Sequence, residues 1–146
     1  MSGGSGRGFF EAIGICFSKY ATFKGRAPRS EYWWWVLFQL VIGAVFESIL
    51  LPPLLRDFEQ TRATGVIPPQ DVYHGIIQLI FTLISLALLL PSISVSVRRL
   101  HDRDKSGWWY FFPIVPVIGP IMVLIWFCQR GTNGGNRFGP DPLREF

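Results

Sequence analysis

The sequence predicts an all-α integral membrane fold. It has three transmembrane helices, the third kinked by proline, and a short amphipathic interfacial helix ahead of them. Three observations predict it. First, the segments 33–51, 75–97 and 108–128 hold 63 of the 146 residues and only one charge, Glu47. Each has the roughly 20 apolar residues that a spanning helix needs. Second, all fourteen lysines and arginines lie outside these segments. Third, aromatic residues make up 16% of the chain and crowd against the charged flanks, as rings do at the headgroup level of a bilayer. Only 16% of residues are charged and the mean hydropathy is +0.31, against about a quarter charged in soluble domains. Three long helices apolar on every face would leave a soluble chain of this length nothing to cover them.

Residues 1–8, MSGGSGRG, read as a flexible tail. They resemble a phosphate loop but lack its lysine and its preceding strand. From Phe9 the rings and aliphatics Phe9, Phe10, Ile13, Phe17 and Tyr20 recur at helical intervals. This predicts an interfacial helix over 9–24, too short to span and suited to lie on a bilayer, with Gly25 ending it. Pro28 suits the first turn of the next helix. Arg26 and Arg29 then meet Tyr32–Trp35, so cations at headgroup level pass directly into an aromatic belt. The first span, 33–51, is expected to stop at Pro52 and Pro53.

Residues 108–128 contain Pro113, Pro116, Gly119 and Pro120. Each interior proline removes a helical hydrogen bond. Two geometries satisfy such a segment. A kinked full span meets the length requirement and is the expectation. A re-entrant hairpin would instead return the tail to the side it left. The tail, 129–146, is rich in turn residues and is expected to be an ordered loop held at the interface by Phe138, with Arg137 toward headgroup phosphate.

Orientation follows from the cations. Five precede Trp33, two lie between the first two spans, and four (Arg98, Arg99, Arg103 and Lys105) fall between the second and third. The positive-inside rule places the N-terminus and the second loop in the cytoplasm and the loop from Pro52 to His74 outside. No secretory signal peptide is visible.

Three stretches carry a family resemblance: Gly25, Arg26, Arg29, Glu31, Tyr32 and Trp33; Arg98–Asp102 with Ser106–Trp109; and Asn136–Pro142. In that order they are similar to the small bacterial inner-membrane proteins grouped as domain-of-unknown-function family 805. The resemblance covers about residues 16–142. It implies a multi-pass protein of the bacterial inner (cell) membrane and implies no activity, because none is established for the family.

Three constellations are candidates for function. The collar of Arg26, Arg29, Glu31, Arg98, Arg99, His101 and Asp102 reads either as internal ion pairs, with Glu31 neutralising Arg98 or Arg99, or as a surface for anionic lipid or an acidic partner. Each cation near an anionic leaflet contributes on the order of 1 kcal/mol. The second span carries a polar stripe, Gln78, Thr82, Ser85, Ser92 and Ser96, at helical spacing. It suits helix packing, with a solute path in an oligomer as the alternative. Glu47, the intramembrane charge, sits roughly 21 Å along its helix, nearer the outer interface than the centre, within reach of water or of Gln78.

His101 beside Asp102 suggests catalysis, but sequence neighbours do not face each other on a helix. No nucleophile motif accompanies them. No ligand pair has zinc spacing, and the two cysteines, Cys16 and Cys128, form no motif. No catalytic residue, metal or cofactor is therefore predicted. Nucleic acid is excluded as a partner because the cations border apolar spans. The expected function is non-catalytic: a binding or structural membrane protein whose partners are anionic lipids, another membrane protein or a second copy. The alternative is a small oligomeric transporter or channel subunit.

Overall fold

The computed structural model describes residues 7–66 and 72–143. The expected flexible tail therefore lies outside the described residues except for Arg7 and Gly8, as do the middle of the 52–74 loop and the last three residues. The order is α1 (Phe9–Ser18), α2 (Arg29–Thr64), α3 (Val72–Asp102), a 3₁₀ helix (Gly107–Ile114) and α4 (Ile118–Cys128). Contacts divide the chain into two compact units, Met1–Leu37 with Leu89–Phe146, and Phe38–Leu88.

Helices α2 and α3 are long and apolar enough to cross a membrane. In the most apolar 18 residues of each, only 6% and 11% of the residues are buried by protein. A soluble core helix would hide such a stretch, so lipid is the solvent that fits these faces. Helix α2 does not stop at Pro52 and Pro53 but continues to Thr64. Proline is tolerated in such helices because neighbouring groups take up the backbone groups it frees. Helix α1 ends at Ser18 rather than running to residue 24, and Gly25 sits at φ +85°, a conformation that suits glycine.

The segment 108–128 is not one helix. The 3₁₀ helix and α4 pack against each other, and the chain reverses between them. Eight 3₁₀ residues rise roughly 16 Å and eleven α residues roughly 16 Å, each about half the hydrocarbon thickness. The reversal centres on Val117, at φ 66° and ψ −60°, with Ile118 N donating to Pro116 O at 2.8 Å. This is the rarer, strained γ-turn. Gly119 is buried, and a Cβ there would meet the Phe112 carbonyl oxygen and lie 2.9 Å from Pro113 Cα. Glycine is what lets α4 approach that backbone. The kinked span expected from length alone is thus replaced by a hairpin. Proline and glycine stop the helix, and Pro113, Pro116 and Pro120 bring no N–H groups that an exposed apolar tip would leave unbonded.

Candidate functional site

The last turn of α3 organises the first unit. The sequence places Arg98–Asp102 in a loop, but the helix runs through them to Asp102. A helix leaves its final carbonyls unbonded, and here other parts of the chain supply the donors. Ala27 N donates to Arg98 O at 3.0 Å, Lys105 N to Leu100 O at 3.0 Å and Thr132 N to Asp102 O at 2.8 Å. Asn136 Nδ2 donates to His101 O at 2.9 Å. Ser94 Oγ reaches Lys19 O at 3.0 Å and Thr22 O at 2.7 Å, docking the end of α1.

Around this helix end lie two buried carboxylates. Asp102 accepts from Arg26 Nε at 3.0 Å and from Arg99 Nη1. Glu31 accepts from Arg98 Nη1 and from Arg7 Nη1. Glu31, Arg98 and Arg99 are fully buried, and Arg26 and Asp102 nearly so. Four cations thus share two acids. Backbone carbonyls take up part of the excess. Arg26 donates to Thr132 O and Gly134 O, both at 2.6 Å. Arg99 donates to Phe127 O at 3.2 Å and to Gln129 O. Buried charge is tolerated only when paired and hydrogen-bonded in this way.

The arrangement is a clamp. Arg26 holds the C-terminal loop, Arg99 holds the end of α4, and both meet on Asp102. Gly131 packs so closely that a Cβ there would fall on the Asp102 carboxylate. Asp141 closes the loop by accepting from Gly134 N at 3.0 Å and Leu143 N at 3.1 Å. Because Arg99 binds the carbonyls of Phe127 and Gln129, the hairpin returns to the level where it began. Trp109 and Trp126 rings lie 5.2 Å apart, and Lys105 Nζ sits 4.4 Å from the Trp126 ring.

Of the predicted collar, Arg26, Glu31, Arg98, Arg99 and Asp102 come together as this buried network, with Glu31 neutralising Arg98. His101 does not pair with Asp102. Its Nδ1 lies 3.2 Å from Gly25 O and its ring stacks on Phe138 at 3.9 Å. Phe138 is half-buried, one ring face covered by His101. Arg137 pairs with Asp104 at 3.2 Å. Arg29 alone of the collar is exposed, with one long bond of 3.5 Å to Cys128 O.

Two contributors escaped the sequence reading. Arg7 sits in a Gly/Ser-rich stretch that gives no hint of structure, yet it binds Glu31, and its carbonyl accepts from Trp34 Nε1 at 2.9 Å. The loop carbonyls of residues 129–134 are backbone groups and carry no sequence signal.

Cys16 is buried and Cys128 exposed, and both are free thiols. Burial, reinforced by the Glu31 carboxylate, pushes the Cys16 thiol up to about 12. The polar stripe divides. Ser92 accepts from Trp35 Nε1 at 3.1 Å, and Ser96 is buried. Gln78, Thr82 and Ser85, in the second unit, are exposed. Glu47 is exposed too, with no hydrogen bond or ion pair to Gln78 among the described residues.

Alongside α4 and the first turns of α2 lies a cavity of about 800 Å³, lined by Arg29, Ser30, Trp33, Leu37, Cys128 and Leu143 together with Pro28 and Trp34. Among the described residues no group of three or more His, Cys, Asp or Glu is placed to hold a metal ion.

The family of unknown function DUF805 matches residues 20–140. The chain belongs to the DUF805 family. All three stretches that meet at the clamp fall wholly or largely within the matched region. The DUF805 chain is 36% identical over 126 residues to the inner membrane protein YhaH of Escherichia coli K12, covering 86% of this chain and 91% of that one. It is 36% identical over 123 residues to the inner membrane protein YhaI of the same strain, covering 84% and 87%. The uncharacterized protein YiiR of that strain is 29% identical over 145 residues. No solved structure matches the DUF805 chain.

Proposed function

We propose that this is a multi-pass protein of the bacterial inner membrane with a non-catalytic role. In this reading a buried charge clamp holds rigid a basic-aromatic collar that meets anionic lipid on the cytoplasmic side. The two long apolar helices and the relatives named as inner membrane proteins support the location. Helices α2 and α3 cross the bilayer. The hairpin dips in and returns, so both termini lie on the cytoplasmic side, where the cations of the tail satisfy the positive-inside rule.

One observation carries the binding role. Arg26, Arg98 and Arg99 are engaged with Glu31 and Asp102, whereas Lys24, Arg29 and Arg130 are exposed. Trp33 and Trp108 are also exposed, the latter at 80%. Exposed cations and indoles together suit a headgroup layer. In vesicles, brominated phosphatidylglycerol is expected to quench the tryptophans more than brominated phosphatidylcholine at equal mole fraction. The combined variant Lys24→Gln, Arg29→Gln, Arg130→Gln should lose that preference. Equal quenching by the two lipids in the unmodified protein would overturn the reading.

A second reading, an oligomeric transporter subunit, draws on the exposed Gln78, Thr82 and Ser85 of α3. Polar groups facing hydrocarbon are costly unless another helix covers them. A strictly monomeric mass in detergent would remove it.

A further inference from the structure

The cavity beside the clamp differs from the rest of the collar in its charge. Arg26, Arg98 and Arg99 each meet a carboxylate. Among the described residues Arg29 meets none, and no acidic side chain lines the cavity. The remaining lining is Pro28, Ser30, two indoles, Leu37, Leu143 and the exposed thiol of Cys128. The space opens to the surface, and its volume of about 800 Å³ falls in the size range of ligand sites. It is built, not incidental. Arg99 fixes the α4 end that carries Cys128, and Arg26 and Asp141 fix the loop that carries Leu143. One uncompensated guanidinium beside an aromatic and aliphatic wall selects an amphiphilic anion. Guanidinium is well matched to phosphate oxygens, and the wall suits an acyl chain.

We infer that this cavity holds one phospholipid with an anionic headgroup, its phosphate on Arg29 and its chain along Trp33 and Leu37. The site rests on the collar reading above and narrows it from a diffuse surface to a single bound molecule.

Cys128 supplies the test. The full-length protein in neutral detergent is treated with a maleimide, and the rate at Cys128 is read by peptide mass. Cys16, buried and with its thiol held neutral, serves as the internal control for unfolding. Phosphatidylglycerol should slow the reaction at Cys128 by about five-fold relative to phosphatidylcholine, the effect of about one basic residue on an anionic lipid. Free glycerol phosphate should give no protection. Arg29→Gln should abolish the difference and Arg29→Lys should keep most of it, with Cys16 unlabelled in both.

Equal rates in the two lipids would overturn the site, as would protection that survives Arg29→Gln. Protection without any lipid that vanishes on removing residues 144–146 would give the cavity to the chain's own end instead. If Cys128 is unprotected while phosphatidylglycerol still quenches the tryptophans preferentially, the cavity falls and the collar stands. If both effects are missing, the collar falls as well.

Discussion

The two compact units of this chain use opposite means of holding charge and apolar surface. The unit of Met1–Leu37 and Leu89–Phe146 buries four arginines and two acids around a helix end and packs rings over them. Among its described residues, the unit of Phe38–Leu88 buries little besides Pro53. Its leucines and valines are largely exposed, and its only charge inside the predicted spans, Glu47, is exposed with them. One Phe46–Phe81 ring contact at 4.5 Å and a small cavity of about 340 Å³ mark where its helices meet. The contrast has a physical source. Hydrocarbon solvates leucine as well as protein does, so the second unit gains little by packing. Charge has no such solvent there, so the first unit must satisfy its own.

Asp102→Asn should break the comparison most sharply. It leaves Arg26 and Arg99 buried beside a neutral amide. Removing one partner of a buried pair costs about 3–5 kcal/mol. Thermal unfolding in detergent, followed by fluorescence-detected size exclusion, should show a large loss of folded protein, with the tail freed for proteolysis. An unchanged melting curve would mean the carboxylate is not the centre of the clamp.

Gly119→Ala should act less strongly. The added methyl meets the Phe112 carbonyl, which belongs to the backbone and cannot swing aside. Overpacking of this kind costs about 1–3 kcal/mol, read as a lower melting temperature and faster proteolysis in the hairpin. A silent substitution would argue that the 3₁₀ helix and α4 are not packed backbone to backbone.

Glu47→Gln should do least. The side chain is exposed and makes no bond among the described residues, so stability should move by no more than about 0.5 kcal/mol and insertion should be intact. Failure of this variant to accumulate in membranes would show that the second unit, too, depends on a charge.

How much was legible beforehand differs by feature. Helices α2 and α3 were, because twenty apolar residues in a row have few fates. The pairing of Glu31 with Arg98 was available as one of two options, since a lone acid among arginines has few partners. The role of Arg7 was not, because a cation in a Gly/Ser stretch carries no periodicity. Nor was the continuation of α2 through Pro52 and Pro53, where local propensity argued for a stop. The reading of His101 and Phe138 as separate features missed their stacking, which depends on the loop of 129–143 folding back over α3.

The residues alone, then, determined which stretches favour lipid, where cations and indoles would gather, and that three motifs belong together. These follow from composition and spacing, which act locally. The tertiary structure decided that residues 108–128 turn back and that Arg26, Arg98 and Arg99 face inward. It also left Arg29 without an acid, among the described residues, beside an open cavity. Several of those outcomes depend on groups far apart in the sequence, such as Arg26 and Asp102, 76 residues apart, and Glu31 and Arg98, 67 apart. Arg99 meets Asp102 three residues on, but for Arg26, Arg98 and Arg29 no local property of the chain encodes which finds a carboxylate.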